Sequence, residues 1–322
     1  MLRLLGALLL WTGLVAMAPA ESDPKNFIYV GPDQLEEQVD KLRRDDVEGA
    51  QVIYNWRMLE PKEGEYDFSS IETDLKLLEE LNLPLFVQVQ DRFFSPKARR
   101  LPQYILDNPE YDGGLVRQFD NAGEGKPIGK GWFAKQWNPA LRRRFQALLK
   151  ALAERFDGRI FGINLPESAI SPIEGEEGFS CDAYFEATLE NMRYAKAAFS
   201  KTQVVQYINF WPCEWNNDKG YMERSFALAV EQGIGVGGPD IIPNRRGQMK
   251  NSYPFFNRHK QDLPLIAMGI QEPTLTYTDP ETGKPFARSK FVEFARDYLG
   301  VDIIFWSVEA PWLNAPREAA VL

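Results

Sequence analysis

Two apolar segments of this sequence, far apart in the chain, each end in a glutamate. Residues 161–168 read FGINLPES, and residues 265–273 read LIAMGIQEP. An apolar run that stops at polar residues is typical of a buried parallel strand where it meets solvent. Because such strand ends meet at one face of a parallel sheet, Glu167 and Glu272 are predicted to form a carboxylate pair.

A carboxylate pair of this kind suits the hydrolysis of glycosidic bonds. One carboxyl group must protonate the leaving oxygen, and the other must attack the sugar or activate water. The proton donor has to hold its proton near neutral pH, which burial or a like-charged neighbour allows. We therefore predict that Glu167 and Glu272 are catalytic.

The elements that position the pair alternate along the chain between strands and helices. Strand character occurs at residues 26–30, 49–59, 84–90, 159–164, 203–210, 233–237, 265–270 and 301–306. Strands that alternate with helices form parallel sheets, and eight strands close a barrel. We predict an α/β fold, a single-domain (β/α)₈ TIM barrel with a short or missing last helix. An open doubly wound sheet is the alternative, but residues 31–34 lack the glycine-rich phosphate loop that it needs.

Two stretches are predicted to be irregular. The long, glycine-containing segment 91–137 is predicted to be a loop that shapes the substrate site. The connection over residues 241–257 also lacks a regular pattern.

Polar and aromatic side chains cluster at the predicted strand ends. Aromatic faces stack on sugar rings, while amides and guanidinium groups bind hydroxyls. The predicted sugar platforms are Trp56, Trp211 and Trp306, and the predicted hydroxyl-binding residues are Arg57, Gln90, Asn164 and Asn209. The alternative is that large aromatic residues only cover the top of the barrel.

Composition excludes several classes of function. The net charge is −9, which argues against nucleic acid or an anionic membrane as the main partner. The single histidine, His259, lies in a polar stretch and is predicted to be exposed, so imidazole-based nucleophile or metal sites are not expected. We predict no cofactor and no metal, with an oligo- or polysaccharide as the substrate.

The first residues have the pattern of a secretory leader. Arg3 precedes an apolar stretch that ends at the small-residue pattern of residues 18–20. We predict a cleaved signal peptide at 1–20, a barrel at 21–322, no membrane anchor in the mature form, and a secreted or periplasmic location. In an oxidising compartment Cys181 and Cys213 are able to form a disulfide, with two buried free thiols as the alternative.

The sequence resembles the clan of retaining (β/α)₈ glycoside hydrolases whose catalytic glutamates end strands four and seven. Residues 56–68, WRMLEPKEGEYDF, are similar to the second strand of that clan and its following turn. The resemblance implies a secreted glycoside hydrolase in which Glu272 is the nucleophile and Glu167 the acid/base. It also implies that Trp306 contacts the sugar.

One departure from the clan pattern leaves alternatives open. The acid/base glutamate of the clan usually follows its asparagine directly, whereas Leu165 and Pro166 separate Asn164 from Glu167. Glu167 shares strand parity with residue 165 and is expected to point inward. The alternatives are a non-catalytic carbohydrate-binding barrel, or a transglycosylase or lyase that acts on an acidic polysaccharide through arginines such as Arg92, Arg99 and Arg100.

Overall fold

The computed structural model describes residues 22–120 and 128–315, so the predicted signal peptide lies outside the described residues. Eight parallel strands form a closed barrel, as predicted. They are β1 (Lys25–Val30), β2 (Gly49–Asn55), β3 (Leu85–Gln90), β7 (Gly162–Leu165), β8 (Gln203–Tyr207), β9 (Gly235–Gly238), β10 (Ile266–Ile270) and β11 (Ile303–Ser307). Strand β11 pairs with both β10 and β1, which closes the barrel.

Helices surround the barrel. In chain order they are α1 (Val39–Leu42), α2 (Trp56–Leu59), α3 (Ser69–Glu80), α4 (Gln103–Asp107), α5 (Pro139–Phe156), α6 (Cys181–Ala198), α7 (Tyr221–Gln232), α8 (Arg246–Asn251), α9 (Tyr253–His259), α10 (Glu272–Leu275), α11 (Arg288–Glu293), which continues as a π-helix to Leu299, and α12 (Pro311–Asn314). The two longest helices begin at side-chain caps. The side-chain oxygen Oδ1 of Asn138 accepts from the backbone N–H groups of Ala140 and Leu141, and the Ser180 hydroxyl accepts from that of Ala183.

The segment 91–137 is not one loop, as the sequence suggested. It contains a small antiparallel sheet of β4 (Arg92–Phe93), β5 (Leu115–Asp120) and β6 (Ile128–Ala134), in the order β4-β6-β5. Strand β4 has only two residues and β6 contains two glycines, so neither shows a clear alternation of polar and apolar residues.

The connection after β9 was also predicted wrongly, because it contains α8 and α9. His259 ends α9 and is half-buried against the ring of Phe226, 5.7 Å between ring centroids, rather than exposed.

The amino-terminal half of the barrel interior is filled by phenylalanine rings. Phe305 packs against Phe27 and Phe86, with centroid distances of 6.0 and 5.0 Å. Glycines on neighbouring strands leave the space for these rings: a Cβ at Gly162 would lie 2.4 Å from the Phe86 ring, and one at Gly49 would lie 2.5 Å from the Phe27 ring. The aromatic layer closes this end, so the barrel interior is open only toward the carboxyl ends of the strands.

Candidate active site

A cavity of about 550 Å³ lies at the carboxyl ends of the barrel strands. Its lining comes from the ends of six strands and from the small sheet, and it includes Tyr29, Gln90, Arg92, Phe94, Glu167, Tyr207, Asn209, Asp240, Gln271 and Glu272. Both predicted catalytic glutamates therefore face one cavity, as do Gln90 and Asn209 of the predicted hydroxyl-binding residues.

Glu167 is held at the cavity wall by two contacts to its carboxylate. Arg92 Nη1 lies 2.5 Å from Glu167 Oε1, and Asn209 Nδ2 donates to Oε2 at 2.8 Å. The Asn209 amide is itself oriented, because its oxygen accepts from the backbone N–H of Ala169 at 3.1 Å. Arg92 also donates to the backbone carbonyl of Glu167 at 2.5 Å, so it positions both the chain and the carboxylate.

Glu167 points toward the cavity, but strand parity with residue 165 is not the reason. Leu165, the last residue of β7, is buried in the outer core, and Asn164 points into the barrel. The chain then leaves the sheet at Pro166, and the backbone N–H of Ser168 donates to the Tyr207 carbonyl at 2.9 Å. This turn, rather than a continued strand, brings the Glu167 side chain to the cavity.

Glu272 lies on the first residue of α10, directly after β10, and its side chain is exposed to the cavity. The hydroxyl of the buried Ser307 donates to Glu272 Oε1 at 2.6 Å. Ser307 ends β11, the neighbouring strand, so the position of this carboxylate is fixed from the adjacent strand end.

Asp240 is a third carboxyl group of the cavity, and it follows β9. Burial raises its pKa, the Thr274 hydroxyl that donates to Oδ1 opposes this shift, and the nearby charge of Glu167 adds to it. Its surroundings thus favour the protonated form of Asp240.

Two tyrosines lie near the carboxyl groups of the cavity. The pKa of Tyr29 is raised by burial and then by the charges of Glu272, Glu167 and Asp240, which places its ring near all three. Tyr207 is fully buried at the cavity floor, where its hydroxyl accepts from Gln51 Nε2 at 3.1 Å, and its pKa is raised mainly by burial. Both phenols stay protonated and are available as hydrogen-bond donors.

Asn164 lies below the cavity rather than in its wall. It is fully buried, accepts from Gln51 Nε2 at 3.0 Å and donates to the Leu165 carbonyl at 2.8 Å. The sequence prediction that Asn164 binds substrate is therefore wrong, because no face of this amide reaches the cavity. Its role is to anchor, through Gln51, a polar layer between the phenylalanine layer and the cavity.

The three predicted tryptophan platforms are all buried in the outer core. Trp56 and Trp306 are 0% and 1% exposed, and Trp211 is 3% exposed. Residues of alternate parity in a strand face opposite sides, so Trp306 points outward between Phe305 and Ser307, which point inward. A ring with no exposed face has no surface for a sugar, and the platform prediction is wrong for these three residues.

Residues 56–68, the segment most similar to the glycoside hydrolase clan, have a structural role. Buried Glu60 accepts from Trp56 Nε1 at 2.8 Å and from the backbone N–H of Gly64 at 2.9 Å, and it pairs with Arg144. Arg57 lies outside the cavity, and its guanidinium donates to the backbone carbonyls of Leu101 and Arg99.

The sequence reading missed several cavity residues. Phe94 is 63% exposed at the cavity and offers the aromatic surface that the tryptophans do not. Tyr29, Tyr207 and Ser307 have inward parity near strand ends, a signal that was available from the strand pattern. Arg92 was noted for acidic sugars but not as the partner of Glu167.

Cys181 and Cys213 form a disulfide, as one of the two sequence alternatives stated. It links the start of α6 to the loop after β8, so it ties together two loops next to Glu167 and Asn209.

Within residues 22–120 and 128–315, one group of side chains has the spacing of a metal site. It consists of Glu174 with Cys181 and Cys213, and the disulfide removes both thiolates. No helix of the described chain is long and apolar enough to cross a membrane.

Comparisons with known proteins agree on the fold. No protein-family model matches the sequence, and no curated protein is significantly similar to it. The catalytic domain of a beta-amylase from Paenibacillus polymyxa superimposes with a TM-score of 0.58 at 10% identity, covering 89% of this chain and 92% of that chain. Endo-glycoceramidase II from Rhodococcus sp. gives 0.53 at 12% identity over 90% and 74% of the two chains.

Xylanase 10B from Thermotoga petrophila gives a TM-score of 0.52 at 13% identity, covering 88% of this chain and 82% of that chain. The chain therefore has the (β/α)₈ barrel fold found in these glycoside hydrolases, which confirms the predicted fold.

Proposed function

We propose that this protein is a glycoside hydrolase that cleaves an oligo- or polysaccharide. The observation that carries the proposal is the convergence of Glu167, Asp240 and Glu272 on one cavity at the carboxyl ends of the barrel strands. That face is where (β/α)₈ enzymes carry their chemistry, and paired carboxyl groups are what glycosidic hydrolysis needs. The likeness in fold to glycoside hydrolases supports this choice.

In the proposed mechanism Glu272 is the nucleophile. A carboxylate oxygen of Glu272 attacks the anomeric carbon while the bond from that carbon to the leaving oxygen breaks and the leaving oxygen takes a proton from Glu167. Water then attacks the anomeric carbon, Glu167 accepts a proton from that water, and the bond to Glu272 breaks. The configuration of the sugar is retained after the two steps.

In the proposed mechanism Asp240 is the source of the proton that Glu167 donates. Burial and the nearby charge of Glu167 raise the pKa of Asp240, and both side chains line the same cavity.

The test is hydrolysis of a panel of aryl glycosides and polysaccharides by the wild type and by Glu272→Gln. We expect turnover by the wild type, none above background by the variant, and the retained anomer as the first product by proton NMR. Full activity in Glu272→Gln contradicts the assignment of the nucleophile.

The Arg92–Glu167 ion pair favours a second candidate function, a carbohydrate-binding barrel without catalysis. An ion-paired carboxylate binds hydroxyls well but is a poor proton donor. Binding of oligosaccharides by the wild type, with no turnover of any glycan in the panel, supports this function over the first.

We further propose that the protein is exported and works in an oxidising compartment. The apolar leader in the sequence and the Cys181–Cys213 disulfide support this location. Expression of the full chain followed by amino-terminal sequencing of the exported protein tests it, and a start near Glu21 is the expected result.

A further inference from the structure

A second concave surface lies beside the cavity and is strongly basic. It encloses about 670 Å³ and is lined by Arg57, Lys97, Arg99, Arg100, Gln103 and Asp107, among others. We call it the basic groove. Four of these six residues are cations, although the whole chain has a net charge of −9. Positive charge is therefore concentrated in the basic groove, although the chain as a whole is negatively charged.

The charges of the basic groove are not neutralised by neighbours. Lys97, Arg99 and Arg100 are exposed, and none of them forms an ion pair with any residue the structure describes. Asp107 is the one acid among the lining residues named above, and it accepts from Gln103 at 2.8 Å. A cation with no ion-pair partner binds an incoming anion without first giving up a counter-ion.

The backbone beneath these cations is held in place. Arg57 donates to the carbonyls of Leu101 and Arg99 at 2.7 and 2.6 Å, and Trp132 Nε1 donates to the Pro96 carbonyl at 2.9 Å. The Arg99 guanidinium lies over the Trp132 ring, 4.3 Å from its centroid. The backbone that carries the groove is thus held in place, and the Arg99 side chain is held over Trp132.

The groove begins where the cavity ends. Phe94 lines the cavity, and the next residue, Ser95, lines the groove. Because consecutive residues line them, the two surfaces are neighbours on the protein, with the exposed ring of Phe94 on the cavity side.

We propose that the basic groove binds the anionic groups, carboxylates or sulfates, of an acidic glycan whose chain extends from the cavity past Phe94. Guanidinium groups match the planar carboxylate and the sulfate oxygens. The carboxyl groups of the cavity disfavour an anionic sugar at the reaction centre, so a neutral sugar occupies the cavity and charged sugars lie in the groove. This inference rests on the proposed function for its place in catalysis, but not for the binding itself.

The test is equilibrium binding to the full-length Glu272→Gln protein, which separates recognition from turnover. The probes are three sets of oligosaccharides of equal length: one containing uronic acid, one sulfated and one neutral. Each is titrated by calorimetry at low and at physiological salt. The variant is Lys97→Gln/Arg100→Gln, which removes two exposed charges of the groove. The matched control is Lys76→Gln/Arg193→Gln, which removes one exposed lysine from α3 and one exposed arginine from α6.

We expect at least one anionic set to bind about tenfold more tightly than the neutral set at low salt, and this preference to shrink as salt is added. The groove variant should lose about tenfold in affinity for the anionic set and nothing for the neutral set, while the control is unchanged. The set that binds identifies carboxylate or sulfate as the ligand group. Equal affinity for all three sets, or an unchanged groove variant, overturns the proposal even if the wild type hydrolyses a neutral glycan.

Discussion

Arg92 Nη1 lies 2.5 Å from Glu167 Oε1, and the two side chains are only 4% and 15% exposed. This pair places both signs of charge at the cavity wall. It also makes the region sensitive to the loss of Glu167, because the buried Arg92 guanidinium would then lack a counter-ion.

Removal of Arg92 should destabilise the protein. We expect Arg92→Met to lower the free energy of unfolding by about 1–3 kcal/mol, because the Glu167 carboxylate loses its counter-ion and the Glu167 carbonyl loses a donor. Urea unfolding followed by tryptophan fluorescence measures this. The double variant Arg92→Met/Glu167→Gln is the control, and it should recover part of the loss. A double variant with additive losses argues against a direct interaction.

Glu272→Gln should abolish hydrolysis and leave the fold intact. We expect kcat to fall by roughly 10⁴-fold, since a group that forms the covalent intermediate is lost. The amide still accepts from Ser307, so the unfolding midpoint should change little. Steady-state kinetics and thermal unfolding on the same preparation check both statements, and a fall in activity that tracks unfolding would indicate a structural role.

Glu167→Gln should affect substrates according to their leaving groups. Loss of the proton donor costs on the order of 10²–10⁴-fold on a natural glycan. An aryl glycoside with an acidic phenol needs little protonation, so its first step should remain fast. A loss of equal size on both substrates contradicts the role of Glu167 as the acid.

Asp240→Asn should change the dependence of stability on pH. The pKa of Asp240 is raised in the folded protein, so the folded state holds this proton more tightly than the unfolded chain does. The favourable contribution is full below the ordinary carboxyl pKa and is lost as pH rises through the folded value. We therefore expect the variant to be more stable than the wild type at neutral pH, with the difference vanishing in acid. Thermal unfolding across pH measures it, and a variant that is less stable at neutral pH would contradict it.

Substitution of Phe94 should affect substrate binding, whereas substitution of a buried tryptophan should affect stability. Phe94→Ala is expected to raise KM about threefold to tenfold with an unchanged unfolding midpoint, because the ring is exposed at the cavity. Trp306→Ala is expected to lower the free energy of unfolding by about 3–5 kcal/mol. A loss of sugar affinity in a folded Trp306→Phe protein would restore the original platform assignment.

The alternation of strands and helices was sufficient to predict the barrel, because eight apolar runs with strand character have few other ways to bury both faces. It was not sufficient for the small sheet, since β4 is too short to show a period. The ends of β7 and β10 were enough to predict Glu167 and Glu272 as cavity residues. The prediction that the tryptophans are sugar platforms was wrong because a residue near a strand end faces either the barrel interior or the surrounding helices. Both neighbours of Trp306, Phe305 and Ser307, point into the barrel, so Trp306 points outward.

The small antiparallel sheet has a thermodynamic consequence for the site. Arg92 belongs to β4, which pairs with Phe133 of β6, so its backbone is hydrogen-bonded into a sheet rather than carried on a free loop. The conformational entropy of placing the guanidinium is therefore lost when the chain folds and not when the sugar binds. A ligand that reaches Glu167 meets a pre-organised wall, and variants that loosen the β4–β6 pairing should weaken binding through entropy while the contacts to the ligand stay the same.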